Sequence, residues 1–316
     1  MAADSSFKLK PIGGSGWKEF ISRYTFEDVL PSYPPSDKLE NIMWVQYDED
    51  VFPIFYNHHY SSYSTKSGVA IVFFHGNGCD LGDNITFLKT LSTITQCSIY
   101  SIEYPGYGSS PGSPDELSVN KRMIRGLSFI SEKFNIPFKR MILMGHSIGA
   151  AVLLGVVSEN EDQFAGVFMI NAFSSMKDIA SEIIKQHFPL GFMGNLAGSA
   201  FDNLSIVKSL KYIPLYIYHC KNDRVIPIEQ AHKLFEASQH LKQCYLKSQA
   251  GGTHNDFEKV ELRNSVSSFI IEIQDDIKST PLISPPRRVY SISPTDPKFD
   301  IKHPERLRKS ELYYLY

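Results

Sequence analysis

Residues 141–155 read Met-Ile-Leu-Met-Gly-His-Ser-Ile-Gly-Ala-Ala-Val-Leu-Leu-Gly, and the rest of the chain is organised around this stretch. Its first four residues form an apolar run typical of a strand buried on both faces, and residues 150–157 indicate an apolar helix packed behind it. Between them, residues 145–149 read Gly-His-Ser-Ile-Gly. A serine in a sharp turn from strand to helix takes a strained backbone, and the flanking glycines let the two elements approach. The pattern predicts that the Ser147 hydroxyl is presented above a sheet, at the start of a helix.

The composition favours one large domain. The chain has 316 residues, is 42% hydrophobic and carries a formal net charge of -2. A core domain of about 200–250 residues would leave room for terminal segments. A charge so close to neutral gives no general electrostatic reason to bind nucleic acid.

The sequence also limits the cellular setting. Its N-terminus lacks the pattern of a secretory signal, and no run of about 20 apolar residues predicts a membrane span. The four cysteines are scattered without metal-type spacing, so we expect reduced thiols, no metal site and a cytoplasmic protein. They are Cys79, Cys97, Cys220 and Cys244.

Strand-like and helix-like runs alternate along the chain after an initial hairpin. Residues 41–47 and 51–56 read as antiparallel strands, and six later runs read as further strands. Such alternation predicts an α/β fold with an eight-stranded, mostly parallel sheet, helices on both faces and ligands at the carboxyl ends of the strands. The six later strands are 69–74, 98–104, 141–144, 166–170, 214–218 and 244–248, and helical segments include 84–94, 118–134 and 228–237.

Segments outside this alternation divide the chain. We expect an N-terminal extension over 1–40, the catalytic domain over 41–275, and a flexible tail rich in Ser, Pro and charge over 276–316. Residues 173–210 exceed an ordinary connection and are interpreted as a small helical cap over the site, although their apolar face could equally pack on the domain. The candidate substrate-binding residues are Gly78, Met176, Phe188 and Phe192.

A short amphipathic pattern lies in the N-terminal extension. Trp17, Phe20, Ile21 and Tyr24 fall at helical spacing. One hypothesis is an interfacial helix that makes peripheral contact with a membrane. The other is a short helix that covers the edge of the domain, and the brevity of the pattern favours it.

Serine is a weak nucleophile and needs a neighbouring base, which a carboxylate must orient. His254 is the candidate base, because it lies in a glycine-rich loop just after the last predicted strand. Asp223 is the candidate acid, since it too follows a predicted strand end. Asp202 and Asp256 are weaker alternatives, because the first lies in the cap and the second is only two residues from His254. The predicted catalytic set is therefore Ser147, Asp223 and His254.

The negative charge that develops during acyl transfer needs preorganised N–H donors. The backbone N–H of Ile148 supplies one at the helix start. The second is predicted in the Phe-Phe-His-Gly-Asn-Gly segment at residues 73–78, from the backbone of Asn77 or, alternatively, of Gly78. His75 is expected to shape this loop. This chemistry requires no cofactor.

These motifs together resemble those of the α/β-hydrolase superfamily. The resemblance covers residues 41–275 and rests on residues 75–82, on Tyr-Pro-Gly-Tyr-Gly-Ser-Ser-Pro-Gly at 104–112, on the serine turn and on Gly-Thr-His-Asn-Asp at 252–256. More narrowly, the chain is similar to the branch that includes serine depalmitoylases acting on cytosolic, membrane-bound proteins. The resemblance implies hydrolysis of an ester or thioester through an acyl-enzyme, with an acylated protein, a lipid or a small ester as substrate.

The chain departs from that branch at two places. Its first cysteine is Cys79, whereas the branch carries an N-terminal cysteine cluster, and His146 stands where Gln or Arg is common. Two alternative functions remain open at this point. One is peptide hydrolysis of the serine aminopeptidase type, and the other is a non-catalytic scaffold whose Ser-Pro tail binds partners.

Overall fold

A computed structural model describes residues 26, 29–33, 40–48, 50–59, 68–179, 201–278 and 291–292. The amphipathic pattern that begins at Trp17 lies outside these residues, as do the candidate binding residues Phe188 and Phe192. The predictions made for those positions stay predictions.

The described residues form a single nine-stranded sheet. The strands are β1 Ile42–Tyr47, β2 Asp50–Asn57, β3 Ala70–Phe74, β4 Ser98–Ile102, β5 Met141–His146, β6 Gly166–Ile170, β7 Leu215–Cys220, β8 Cys244–Gln249 and β9 Ser291–Ile292. Their order is β8-β7-β6-β5-β3-β4-β2-β1-β9. β3 to β8 run parallel, while β1, β2 and β9 are joined by antiparallel pairings. The predicted mostly parallel sheet is confirmed, with a two-residue ninth strand added at its edge.

Helices cover both faces of the sheet, as the alternation predicts. They are α1 Leu81–Thr95, α2 Glu116–Phe134, α3 Ile148–Val157, α4 Asn203–Ser209, α5 Ile228–Ala237 and α6 Lys259–Lys278. Apolar residues of α1 and α6 pack on one face, and those of α2, α3, α4 and α5 pack on the other. The fold is therefore a three-layer α/β structure, and its last helix ends three residues beyond the predicted domain boundary at 275.

The central strands are apolar throughout because both of their faces are covered. In β3, Val72 and Phe74 join the core on the α3 side, whereas Ile71 and Phe73 join the core on the α1 side. Successive side chains of a strand point to opposite faces, so two helical layers require an unbroken apolar run. This is why the sequence located these strands.

Two helices begin ahead of their predicted starts because acidic residues cap them. Asp80 accepts a hydrogen bond from the Asp83 backbone N–H at 3.2 Å, and the Asp80 N–H donates to the Asp83 side chain at 3.1 Å. Asp115 and Ser118 make the same reciprocal pair at the start of α2. Such capping boxes satisfy backbone donors that the helix itself leaves unpaired. The apolar periodicity alone could not show these first turns.

Part of the predicted N-terminal extension belongs to the domain core. Phe26, Val29 and Tyr33 are buried, and the Val29 carbonyl accepts a hydrogen bond from the Gly108 N–H at 2.9 Å. Residues 291–292 of the predicted tail likewise pair with β1. The boundaries at 40 and 276 therefore do not separate the described residues of these segments from the domain.

Two further features concern the setting of the chain. All four cysteines lie in the described residues, and none forms a disulfide. Within the described segments, every helix is too short or too polar to cross a bilayer.

Candidate active site

Ser147 occupies a strained turn between β5 and α3. Its backbone angles are φ 55° and ψ -120°, outside the regions that L-residues normally adopt. A side chain at Gly149 would collide with the carbonyl oxygens of Phe74 and His75, and one at Gly145 would meet the Gly149 carbonyl at 2.5 Å. Both flanking glycines are therefore required by the close approach of strand and helix. The predicted strand-turn-helix context of Ser147 is present.

The side chains of Ser147, His254 and Asp223 form one hydrogen-bonded line. His254 Nε2 lies 3.1 Å from Ser147 Oγ, and His254 Nδ1 lies 2.7 Å from Asp223 Oδ2. They come from loops after β5, β8 and β7, whose carboxyl ends meet at one edge of the sheet. The structure thus brings together the three residues that the sequence selected. Because Nδ1–H donates to the carboxylate, Nε2 is free to accept the serine proton.

Asp223 is held as a carboxylate. Its Oδ1 accepts hydrogen bonds from the backbone N–H groups of Val225 and Ile226, both at 2.8 Å. Burial acts to raise the pKa of Asp223, but the hydrogen bond and charge of His254 and the two backbone amides outweigh it, so the pKa lies below its usual value. Asp223 is therefore ionised at neutral pH and can orient His254.

The competing acids have other roles. Asp202 begins α4, accepting a hydrogen bond from the Ser205 N–H at 3.0 Å. Asp256 is exposed, and its backbone carbonyl closes the histidine loop by accepting from the Thr253 N–H at 3.0 Å. The geometry favours Asp223 over both.

Two further residues hold the backbone of the histidine loop. The His254 carbonyl accepts hydrogen bonds from His146 Nε2 at 2.8 Å and from Asn171 Nδ2 at 2.9 Å. Because a carbonyl only accepts, the His146 proton lies on Nε2. Burial, followed by the neighbouring His254, lowers the pKa of His146 to about 3, so its ring is neutral at physiological pH.

The predicted oxyanion residues lie on the other side of Ser147. Ile148 is the first residue of α3, where backbone N–H groups are not used within the helix. Tyr107 donates a hydrogen bond from its hydroxyl to Asn77 Oδ1, and Gly78 follows with a left-handed φ of 74°. The contacts of Gly149 with the end of β3 bring this loop against the start of α3. The oxyanion role of Asn77 and Ile148 stays a prediction.

A buried ion pair lies beneath residues 74–82, the predicted oxyanion loop. His75 Nε2 lies 3.0 Å from Glu103 Oε1, and its Nδ1 lies 3.0 Å from the Gly76 carbonyl, so both ring nitrogens face acceptors. Burial acts to lower the pKa of His75, but Cys79 and Glu103 raise it well above its usual value. Glu103 also accepts from the Leu81 N–H at 2.9 Å. His75 is therefore an imidazolium that fixes the loop from below.

The ends of the predicted cap segment are tied to the domain. The Ser174 N–H donates to Gln230 Oε1 of α5 at 3.0 Å, and Asn203 Nδ2 donates to the Phe173 carbonyl at 2.8 Å, which joins the two ends of the segment to each other. Met176 is half-buried and packs against the core. The described ends thus pack on the domain, and whether the segment also covers the site stays open.

The strand-end rule would have revealed one of two residues that the sequence reasoning missed. Asn171 directly follows the predicted strand 166–170, whereas Glu103 follows β4 in the structure but lies inside the predicted strand 98–104, so the rule finds Glu103 only once β4 is known to end at Ile102. That position at the carboxyl edge of the sheet is the signal that selected Asp223. The described residues contain no cluster of three or more His, Cys, Asp or Glu side chains that could hold a metal.

Comparison with known proteins shows which sequences the chain is similar to. The family described as serine aminopeptidase, S33 matches residues 65–211. Protein bem46 of Schizosaccharomyces pombe is 24% identical over 62% of this chain and 64% of its own length. Alpha/beta hydrolase domain-containing protein aho-3 of Caenorhabditis elegans is 29% identical over 61% of this chain and 54% of its own length. The human alpha/beta hydrolase domain-containing protein 17B is 27% identical over 62% of this chain and 63% of its own length.

Solved structures show the same fold. Pyrococcus furiosus esterase Pf2001 superimposes with a TM-score of 0.60 at 15% identity, covering 78% of this chain and 98% of the esterase. The monoacylglycerol lipase of Paleococcus ferrophilus gives a TM-score of 0.52 at 18% identity, covering 70% and 99% of the two chains. The chain spans less than two thirds of the length of the curated relatives above. In sequence and in fold, the chain is therefore similar to proteins of the α/β-hydrolase superfamily.

Proposed function

We propose that the protein is a serine hydrolase that cleaves an ester or thioester through a covalent acyl-enzyme. The observation that carries the proposal is the continuous hydrogen-bonded line from Ser147 Oγ through His254 to Asp223, with distances of 3.1 and 2.7 Å. A nucleophile, a base and an orienting carboxylate at these distances meet the geometric requirements for acyl transfer. A strained serine at a helix start is also the arrangement expected of this nucleophile.

In the first half-reaction, Ser147 Oγ attacks the substrate carbonyl carbon while His254 Nε2 takes the hydroxyl proton. The N–H groups of Ile148 and Asn77 stabilise the resulting oxyanion. His254 then donates the proton to the leaving alcohol or thiol as the carbon–oxygen or carbon–sulfur bond breaks. In the second half-reaction, His254 takes a proton from the water molecule that attacks the acyl-enzyme and returns it to Ser147 Oγ as the acyl–oxygen bond breaks, which releases the acid and restores the Ser147 hydroxyl.

The proposed substrate class rests on the chain's relatives, its structural neighbours and the apolar residues of the cap segment. The chain resembles depalmitoylases of the α/β-hydrolase-domain branch. The human alpha/beta hydrolase domain-containing protein 17B is among its relatives. Two of its structural neighbours are called an esterase and a monoacylglycerol lipase. Met176, together with Phe188 and Phe192, offers apolar side chains near the start and middle of the cap segment. We therefore propose an acyl group on a protein, a lipid or a small alcohol as the substrate.

Labelling with a fluorophosphonate probe tests the chemistry directly. The wild-type protein should be labelled, and Ser147→Ala should not. Ser158→Ala is a matched control at the other end of α3, where the hydroxyl only bonds the Gly155 carbonyl at 3.0 Å, and it should label like wild type. An unlabelled wild-type protein, or equal labelling of Ser147→Ala, would refute the proposal.

A second candidate activity is the hydrolysis of peptides from their N-terminus. It is favoured by the match to the serine aminopeptidase family over residues 65–211. Parallel assays with p-nitrophenyl acyl esters of increasing chain length and with aminoacyl p-nitroanilides separate the two. We expect faster turnover of the esters, and preference for the anilides would replace the first proposal with the second.

A further inference from the structure

We propose that Asn171 is a positioning residue that holds the catalytic acid loop and the histidine loop in register with Ser147. The inference rests on the proposed serine hydrolase function, but it concerns a side chain that does not touch the reacting atoms. Asn171 directly follows β6, the strand between the nucleophile strand β5 and the acid strand β7. It therefore lies between the elements that carry the three catalytic residues.

One side chain joins the two loops. Asn171 Nδ2 donates to the carbonyls of His254 at 2.9 Å and Thr253 at 3.2 Å, which lie 83 and 82 residues away in the chain. Its Oδ1 accepts from the Cys220 N–H at 2.8 Å, at the end of the strand that leads to Asp223. Asn171 is 0% exposed, so its amide has no access to bulk water and bonds only within the protein. Movement of either loop against the other would break at least one of them.

The backbone of Asn171 explains why asparagine suits this position. Its φ is 47°, in the left-handed region that asparagine tolerates far better than branched residues do. The N–H of Asn171 donates to the Tyr218 carbonyl at 2.9 Å, which ties the turn to β7. Only a short side chain with two donors and an acceptor satisfies both loops from here. Aspartate would lose the donors, and glycine would lose the side chain while keeping the backbone.

The histidine loop is largely exposed, so its position depends on the hydrogen bonds that it receives from inside the domain, from Asn171 and from His146. Gly251, Thr253 and Asn255 are exposed, and Gly252 takes a left-handed φ of 76°. Catalysis requires the imidazole to stay within about 0.5 Å of its position between acid and nucleophile. The hydrogen bonds to the His254 carbonyl fix the position of its backbone, and therefore the point from which the imidazole side chain extends. Because the Asn171 amide is neutral, it does so without competing with Asp223 for the imidazolium.

The test compares Asn171→Gly with Asn135→Gly. Asn135 also has a left-handed backbone, at φ 56°, but it ends α2 away from the catalytic loops. For a short-chain p-nitrophenyl ester we expect Asn171→Gly to lower kcat per titrated site by about 10- to 100-fold with KM within about twofold, since the ground-state contacts are kept. Asn135→Gly should keep kcat within about twofold of wild type.

A spectroscopic readout separates positioning from general destabilisation. The proton shared by His254 Nδ1 and Asp223 should give a downfield proton NMR resonance, assigned by its loss in Asp223→Asn. We expect this resonance to shift or broaden in Asn171→Gly and to be retained in Asn135→Gly. If Asn171→Gly folds poorly, Asn171→Asp serves instead, because it keeps the side-chain size and the Cys220 acceptor but removes both donors.

The outcomes are distinct for the two proposals. Wild-type kcat together with an unchanged resonance in the Asn171 variants would overturn the positioning role while leaving the hydrolase proposal intact. An unlabelled wild-type protein would overturn the hydrolase proposal, yet the resonance would still report whether Asn171 sets the contact between His254 and Asp223. If total activity falls only in proportion to the number of titrated active sites, so that kcat per site is unchanged, the positioning role would also be overturned.

Discussion

The two sides of Ser147 are held by different kinds of interaction. On the base side, defined as residues 171, 219–226 and 249–256, the buried contacts are hydrogen bonds between neutral groups and one buried carboxylate, Asp223. On the oxyanion side, defined as residues 74–82 and 103–110, buried charges lie under the loop: the His75–Glu103 pair and the carboxyl of Asp80. A base must change its protonation in each cycle, whereas N–H donors need only stay fixed. We therefore expect substitutions on the base side to lower kcat. Substitutions on the oxyanion side should mainly change the free energy of unfolding and its pH dependence.

The largest effect should come from Asp223→Asn. The amide can still accept hydrogen bonds from the Val225 and Ile226 N–H groups, so the loop should fold normally. It cannot stabilise the imidazolium or select the Nδ1–H tautomer of His254, so kcat should fall by about 10⁴-fold. Steady-state ester hydrolysis with titrated sites measures this.

Asp256→Asn is the matched control, since it removes an exposed carboxylate only two residues from His254. It should change kcat by no more than about twofold. A larger loss in Asp256→Asn than in Asp223→Asn would show that the acid has been assigned to the wrong loop.

The sequence predicted the base side better than the oxyanion side. Ser147, Asp223 and His254 each lie in a short polar segment after an apolar strand, and parallel strands bring such segments to one edge whatever their separation in the chain. Asn171 and Glu103 follow strands in the same way, but a single polar residue at a strand end has no characteristic spacing. Their partners lie 83 and 28 residues away, so only the packed structure shows what they bind.

The tertiary context also explains why residues 29–33 pack on the domain. Residues 29–33 look like part of a polar, proline-punctuated extension, because Pro31, Pro34 and Pro35 interrupt the apolar positions Val29 and Tyr33. They are buried because the domain offers partners: Glu103 for the Tyr33 hydroxyl at 3.1 Å and Asp80 for the Ser32 N–H at 2.6 Å. Sequence patterns compare only residues that are close in the chain. A segment that is stabilised by residues far away in the sequence is therefore predicted to be an extension.

Asp80 should make the oxyanion side sensitive to pH. Burial, followed by the charge of Glu103, raises the pKa of Asp80 from 3.8 to about 6. A carboxyl whose pKa is raised on folding stabilises the protein below its unfolded pKa, and this contribution is lost as pH rises through the folded value. Relative to Asp80→Asn, the wild-type free energy of unfolding should therefore fall by about 2–3 kcal/mol between pH 4 and pH 7.

Urea unfolding of both proteins across this pH range measures the difference. Asp115→Asn is the control, because Asp115 makes the same kind of capping box at the start of α2. Comparing the two variants separates the effect of changing a helix cap from the effect of pH. A difference between wild type and Asp80→Asn that stays constant with pH would contradict the prediction.

The smallest effect, and the one that probes the comparison most closely, is expected from Tyr107→Phe. The substitution removes the hydroxyl that binds Asn77 Oδ1 but keeps the ring, which packs edge-on against Phe26 with centroids 6.1 Å apart. The oxyanion loop keeps the His75–Glu103 pair beneath it, so the backbone N–H of Asn77 should shift only slightly. We expect kcat to fall by about three- to tenfold, well short of the loss of a whole oxyanion donor, with little change in the free energy of unfolding.

Tyr47→Phe provides the control, since the Tyr47 hydroxyl bonds Glu132 at 2.8 Å at the far edge of the sheet. It should leave kcat unchanged. If Tyr107→Phe lowers kcat as far as Asp223→Asn does, the oxyanion side depends on a hydrogen bond between neutral groups, as the base side does. The buried charges would then stabilise the fold of the loop without fixing the position of the Asn77 backbone N–H. The two sides would then differ only in how they contribute to the free energy of unfolding.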